Sequence, residues 1–202
     1  MLKLRNLLKT LLFILIFTSC KTNKRSIAKE EYYFPTKVAF SKKEDFQCID
    51  LKEFRSFHQL VDSIEKLNYK RKKGYLIVET ETEKNNILLS TSYGRCRFPL
   101  LKFKNILSIS KDSIKKDRSY SIKELKIILK KDILNYGKDN SFSESPEKLM
   151  VSLTCKINEL NSLILRVIKV FNEIQEGSKK GLKLNLFINR RMEIYPPIPK
   201  KI

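Results

Sequence analysis

The chain has 202 residues, 42% of them hydrophobic, with 42 Lys+Arg against 22 Asp+Glu and a formal net charge of +20. That apolar content excludes a globally disordered polymer, and the length suits one domain with a proper core better than two. The charge favours anionic partners, although lysine spread along every segment speaks first to a solvated surface.

Residues 1–20 read MLKLRNLLKTLLFILIFTSC. Lys3, Arg5 and Lys9 give a basic start, Leu11 to Phe17 an unbroken apolar run, and Thr18-Ser19 a small-residue exit before Cys20. These are the physical parts of a secretory signal. A retained transmembrane helix needs about 20 apolar residues, and extending this run back to Leu7 would bury the charge of Lys9. With Phe17-Thr18-Ser19-Cys20 as its lipobox, the segment resembles a bacterial lipoprotein precursor, departing from it at Phe17, where that family prefers an aliphatic residue. The resemblance implies a signal peptide over 1–19 and lipidation, with palmitate among the acyl groups, at Cys20. More than one acyl chain on that cysteine supplies the two membrane signals that stable anchoring needs. Removing Lys3, Arg5 and Lys9 with the leader leaves a mature charge of +17. Lys21 is not the acidic signal of inner-membrane retention, which points to the periplasmic side of the outer membrane, the inner membrane being the alternative. An envelope address argues against nucleic acid as a partner, and no RNA-binding strand motif is present.

Residues 20–33 are polar and without periodicity, and read as the lipidated cysteine and a flexible tether. The domain is expected over 34–195, followed by a Pro-rich tail over 196–202. Phe34 to Phe40 reads as an edge strand despite Pro35, and Phe46 to Leu51 as a second strand. A helix is expected from Asp50, with Glu53 at capping-box spacing and a stripe of Phe54, Phe57, Leu60, Val61, Ile64 and Leu67. His58 flanks that stripe and reads as a partly buried packing residue. After a basic turn over Lys70 to Gly74, Tyr75–Thr82 and Ile87–Tyr93 form a β-hairpin around a Glu83–Asn86 loop. Leu100 to Ile109 continues the sheet.

Ser121-Ile122-Lys123-Glu124 is a capping box ahead of a stripe of Leu125, Ile128, Leu129, Ile133 and Tyr136, with Gly137 at the far end. Residues 138–147 are a polar loop and Leu149 to Cys155 a strand. Asn158 caps a helix whose apolar positions are Leu160, Leu163, Ile164, Val167, Ile168, Phe171 and Ile174, ended by Gly177. Leu182, Leu184, Leu186 and Ile188 then alternate with polar or outward residues as a half-buried strand. Strand, helix and strand at this spacing make a βαβ unit with parallel neighbours. The fold class is α+β: a two-layer sandwich of a mixed sheet with about three amphipathic helices.

With one His and five Gly in the chain, no catalytic motif or metal-ligand spacing emerges. No catalytic residue, metal ligand or cofactor is assigned. Cys48, Cys96 and Cys155 read as buried apolar thiols, with Cys48–Cys96 the favoured pair if a disulfide forms. Cys96, between Arg95 and Arg97, has an electropositive setting but no base. Glu79, Glu81 and Glu83 alternate along one strand as a solvated face.

From Ile106 to Ile188 the order strand, SIKELKIILKKDI helix, KLMVSLTC strand, NELNSLILRVIKVFNEI helix and LKLNLFI strand resembles the periplasmic domain of the ExbD/TolR biopolymer-transport family. That resemblance implies a small α+β domain that binds partner proteins or the cell wall. The family's transmembrane helix with its functional carboxylate has no counterpart here, so no residue carries over. The expectation is a non-enzymatic, lipid-anchored envelope protein binding a protein or cell-wall partner. A basic module for lipid phosphate or wall polymer is the alternative, and an envelope hydrolase the third.

Overall fold

The computed structural model describes residues 28–41, 45–90, 102–178 and 181–188. The leader, Cys20, Cys96 and the Pro-rich tail lie outside them. The chain is a mixed α+β protein, as its patterning implies; among the described residues the strands form two mixed sheets rather than one, and the three expected amphipathic helices are joined by a short fourth.

The first sheet contains β1 (Glu30–Phe34), β2 (Phe46–Ile49), β3 (Lys73–Glu79) and β4 (Glu83–Leu88), in the order β1-β4-β3-β2. Strand β1 corrects the tether, whose last residues are ordered: Glu30 to Phe34 run parallel to Glu83 to Ile87. The physical reason is mutual satisfaction of two polar segments. Asn86 Nδ2 donates to Glu31 Oε1 (2.9 Å) and to the Tyr32 carbonyl (3.3 Å), and Lys84 pairs with Glu31 at 3.2 Å. The β3–β4 hairpin forms as expected, but its turn is Thr80–Thr82 rather than Glu83–Asn86. Thr80 Oγ1 accepts the Glu83 N–H at 3.0 Å and closes the chain three residues early. That draws Glu83–Asn86 into β4.

Phe34–Phe40 is not a strand. Phe34 ends β1, the Phe34–Pro35 peptide is cis, and Lys37–Ser41 is the short helix α1. Pro35 interrupts the ladder, and Phe40 then stacks on Phe46 (5.5 Å) and meets Tyr33 and Tyr75 edge-on at 5.3 and 5.8 Å. Asp50 caps only a single 3-10 turn, Leu51–Glu53. Helix α2 (Phe57–Tyr69) starts instead from Ser56, whose Oγ accepts the Gln59 N–H at 3.3 Å. Its buried stripe is Phe57, Leu60, Val61, Ile64 and Leu67, packed on β3. His58 falls off that stripe and is exposed, contrary to its expected packing role.

The second sheet runs β7-β6-β5-β8-β9, with β5 at Ile106–Ile109, β6 at Ser113–Lys115, β7 at Ser119–Ser121, β8 at Met150–Leu153 and β9 at Leu186–Ile188. Strand β5 therefore opens a new sheet instead of continuing the first. Helix α3 (Leu125–Ile133) follows a 3-10 turn in which the Ser121/Glu124 capping box is formed. Tyr136 lies beyond the helix with φ of 47°, followed by Gly137 at 76°. Helix α4 (Leu160–Glu176) buries all seven expected apolar positions and ends at Gly177. Asn158 sits within the preceding 3-10 turn, Ile157–Glu159, and does not cap it. Strands β8 and β9 are parallel neighbours joined through α4, as the patterning implies. Leu182, Leu184, Leu186 and Ile188 are all buried, though only Leu186–Ile188 is strand.

A bridge between Ser90 and Phe187 links the two sheets, and one hydrophobic cluster spans both. Phe34 of the first sheet meets Phe171 of α4 edge-on at 6.4 Å.

Candidate functional site

Where β1 ends and the approach to β9 begins, the two sheets leave a groove of about 580 Å³. Tyr32, Tyr33, Phe34, Pro35 and Thr36 line one wall. Phe171, Asn172, Gln175 and Glu176 of α4 with Gly181, Leu182 and Lys183 line the other. Side chains alternate between the two faces of a strand. Consecutive residues of β1 can therefore border one groove where it runs along the strand's edge and round its C-terminal end, and β1 is the edge of its sheet. The buried Phe34–Phe171 pair backs the groove, the half-buried Tyr32 and Tyr33 rings supply its accessible aromatic surface, and Asn172 and Gln175 offer both donors and acceptors. This is the lining of a binding surface: aromatic area with adaptable hydrogen bonding.

Charge is fixed along β1. Hydrogen bonds from Tyr33, Asn86 and Lys84 hold the Glu31 carboxyl down at about 2. The Tyr32 hydroxyl donates to Glu30 Oε2 at 2.7 Å. Thus both carboxylates read as tether residues instead organise the strand.

A second crevice, about 730 Å³, is bordered by Arg55–His58 at the start of α2 and by Thr154–Asn158 ahead of α4. It contains His58 and Cys155. Burial pushes the Cys155 thiol up to about 12, so it is protonated and a poor nucleophile.

A polar bracket braces the second sheet. Lys116 Nζ meets Asp132 Oδ2 at 2.6 Å, with side chains 1% and 0% exposed. It also donates to the Lys104 carbonyl at 2.5 Å, and Asp132 Oδ1 accepts the Ser143 N–H at 2.6 Å. Burial pushes Lys116 down and Asp132 up, each opposed by the other's charge. Beside it, Glu144 pairs with Lys102, Lys104 and Lys148, which hold its carboxyl at about 2. These contacts tie α3 and the 138–147 loop to the β5–β6 hairpin, so the bracket is read as architecture.

Glu79, Glu81 and Glu83 do not share a strand: Glu79 ends β3 and pairs with Lys29 at 2.6 Å, Glu81 is in the turn, and Glu83 starts β4. Cys48 and Cys155 are free thiols, so no bridge reaches Cys48, which is exposed on β2 opposite Tyr75. Of the basic turn, Lys72 pairs with Asp45 at 3.4 Å and Lys73 already belongs to β3. The groove residues Tyr32 and Tyr33 were hidden in the expected tether. Their β-prone aromatic run, Tyr32-Tyr33-Phe34, was the available signal.

No protein-family model, curated protein or solved structure matches this chain. Among the described residues, no group of three or more His, Cys, Asp or Glu is placed to hold a metal ion, and no helix is long and apolar enough to cross a membrane.

Proposed function

We propose that the chain is a non-enzymatic cell-envelope lipoprotein, held through acylated Cys20 on the periplasmic side of the outer membrane, whose α+β domain binds a protein or cell-wall partner. The observation that carries the binding role is the groove along the β1 edge. An extended peptide laid there gains main-chain hydrogen bonds from the strand and side-chain contacts from Tyr33, Asn172 and Gln175, the logic of strand addition. The N-terminal leader supports the address, and the resemblance to the ExbD/TolR periplasmic domain is consistent with a binding role. Between Cys20 and Glu30 the chain reaches at most about 35 Å, from roughly 3.3–3.6 Å per residue, so the groove stays near the membrane.

The test is site-directed photo-crosslinking in intact envelopes, with the reactive residue at Tyr33 or Gln175. One stoichiometric adduct that is missing when the residue is moved to exposed Lys66 on α2 supports the reading. Identical adducts from all three positions, or none, would overturn it. The competing basic module would bind wall polymer or lipid phosphate in place of a groove partner: no adduct at Tyr33 or Gln175, with all binding collapsing as salt rises.

A further inference from the structure

The outer face of α3 has a composition that folding does not explain. Ile127, Lys130, Lys131 and Leu134 recur at helical spacing on one side, and Tyr136 follows. Ile127 is 58% exposed, Leu134 37% and Tyr136 46%. Tyr136 is also held at φ 47°, the left-handed region that a bulky residue rarely occupies. Elsewhere among the described residues exposed large apolar side chains stand singly, as at Val38, Tyr69 and Phe103. Here Ile127 and Leu134 both line a shallow groove of about 510 Å³ whose far wall is Phe142, and Tyr136 follows two residues further along the chain. Lysines ring them: Lys123, Lys130, Lys131 and Lys138 are exposed, with Lys131 Nζ 5.9 Å from the Phe142 ring centre. The acids nearby are partly engaged. Asp132 is buried on Lys116, Glu124 accepts the Ser121 N–H, and Asp139 Oδ1 accepts the Ser141 N–H.

We propose that this face docks on the surface of an anionic phospholipid bilayer. The aliphatic side chains of Ile127 and Leu134 sink into the headgroup boundary while lysines meet lipid phosphates, the pattern of an interfacial helix. Charge complementarity selects the occupant: each lysine near an anionic membrane contributes about 1 kcal/mol. The proposal rests on the envelope reading for the bilayer itself, which the anchor keeps within reach.

The chain has no Trp, so Ile127→Trp places a single reporter on this face, and Leu134→Trp repeats the experiment about two helical turns away. The full mature chain is reconstituted in vesicles containing phosphatidylglycerol or phosphatidylcholine alone. The expected result is blue-shifted emission, quenched by brominated acyl chains, on the anionic vesicles only. Lys130→Ala with Lys131→Ala then lowers the docked-to-undocked ratio roughly thirtyfold, from two lysines at about 1 kcal/mol each. Solvent-like emission from chain that nevertheless floats with anionic vesicles overturns the docking face and leaves the anchor intact. An equal shift on phosphatidylcholine overturns the anionic class. A shift produced by soluble polyglutamate but not by vesicles assigns the face to an acidic protein instead. Failure of the anchor reading shows separately, as absence of acyl groups on Cys20 by mass spectrometry, and vesicles added to that chain still test the face.

Discussion

Helices α3 and α4 are both amphipathic, yet their outer faces differ. The outer side of α4 carries Asn161, Ser162, Arg166, Lys169 and Glu173, an ordinary solvated face, with Glu173 paired to Lys126 at 2.7 Å. The outer side of α3 places aliphatic side chains among lysines. Inner faces differ too: α4 buries only apolar residues, whereas α3 buries Asp132 against Lys116. An inner face serves stability in both helices, but only α3 has an outer face that needs a further explanation.

Substitutions separate these roles. Phe171→Ala, on the inner side of α4, removes a fully buried ring that also floors the groove, and should cost about 3–5 kcal/mol in urea unfolding. Asp132→Ala on the inner side of α3 leaves Lys116 buried and unpaired, also about 3–5 kcal/mol, while Lys116→Met with Asp132→Leu should recover most of it. If the single and double changes cost the same, the bracket is not an ion pair. The next effect depends on pH. Glu144 is held at about 2 against an ordinary 4.5 by Lys102, Lys148 and Lys104. A depressed folded-state value means stability present above 4.5 and lost as pH falls from there toward 2. Glu144→Gln should therefore flatten that part of the acid limb, with the difference shrinking at high salt. Ile127→Ser should be the smallest, within about 0.5 kcal/mol for an exposed position. A larger loss would mean that the outer face of α3 supports the fold.

The apolar skeleton was legible because its residues repeat at the period of their own element. The stripes of α2 and α4, the Ser121/Glu124 box and the Leu182–Ile188 alternation all translate directly into burial. What was not legible lies where polar segments satisfy one another. Glu30–Tyr33 reads as a tether and Glu83–Asn86 as a loop when each is taken alone. Paired, Glu31 with Lys84 and Asn86 makes both into strand. The β6–β7 hairpin was missed for the same reason, since only Ile114 breaks a polar run while the buried partner of Lys116 lies on α3. The groove inherits that blindness: its α4 wall was visible as part of a helix, but its β1 wall was not.

The N-terminus of the mature protein is the most direct test of the lipid anchor. Intact-mass and fragment mass spectrometry of chain purified from envelopes should find Cys20 as the first residue, carrying fatty acyl groups. A chain that retains Met1 and bears no acyl group would contradict the anchor, and with it the compartment in which the groove is proposed to find its partner.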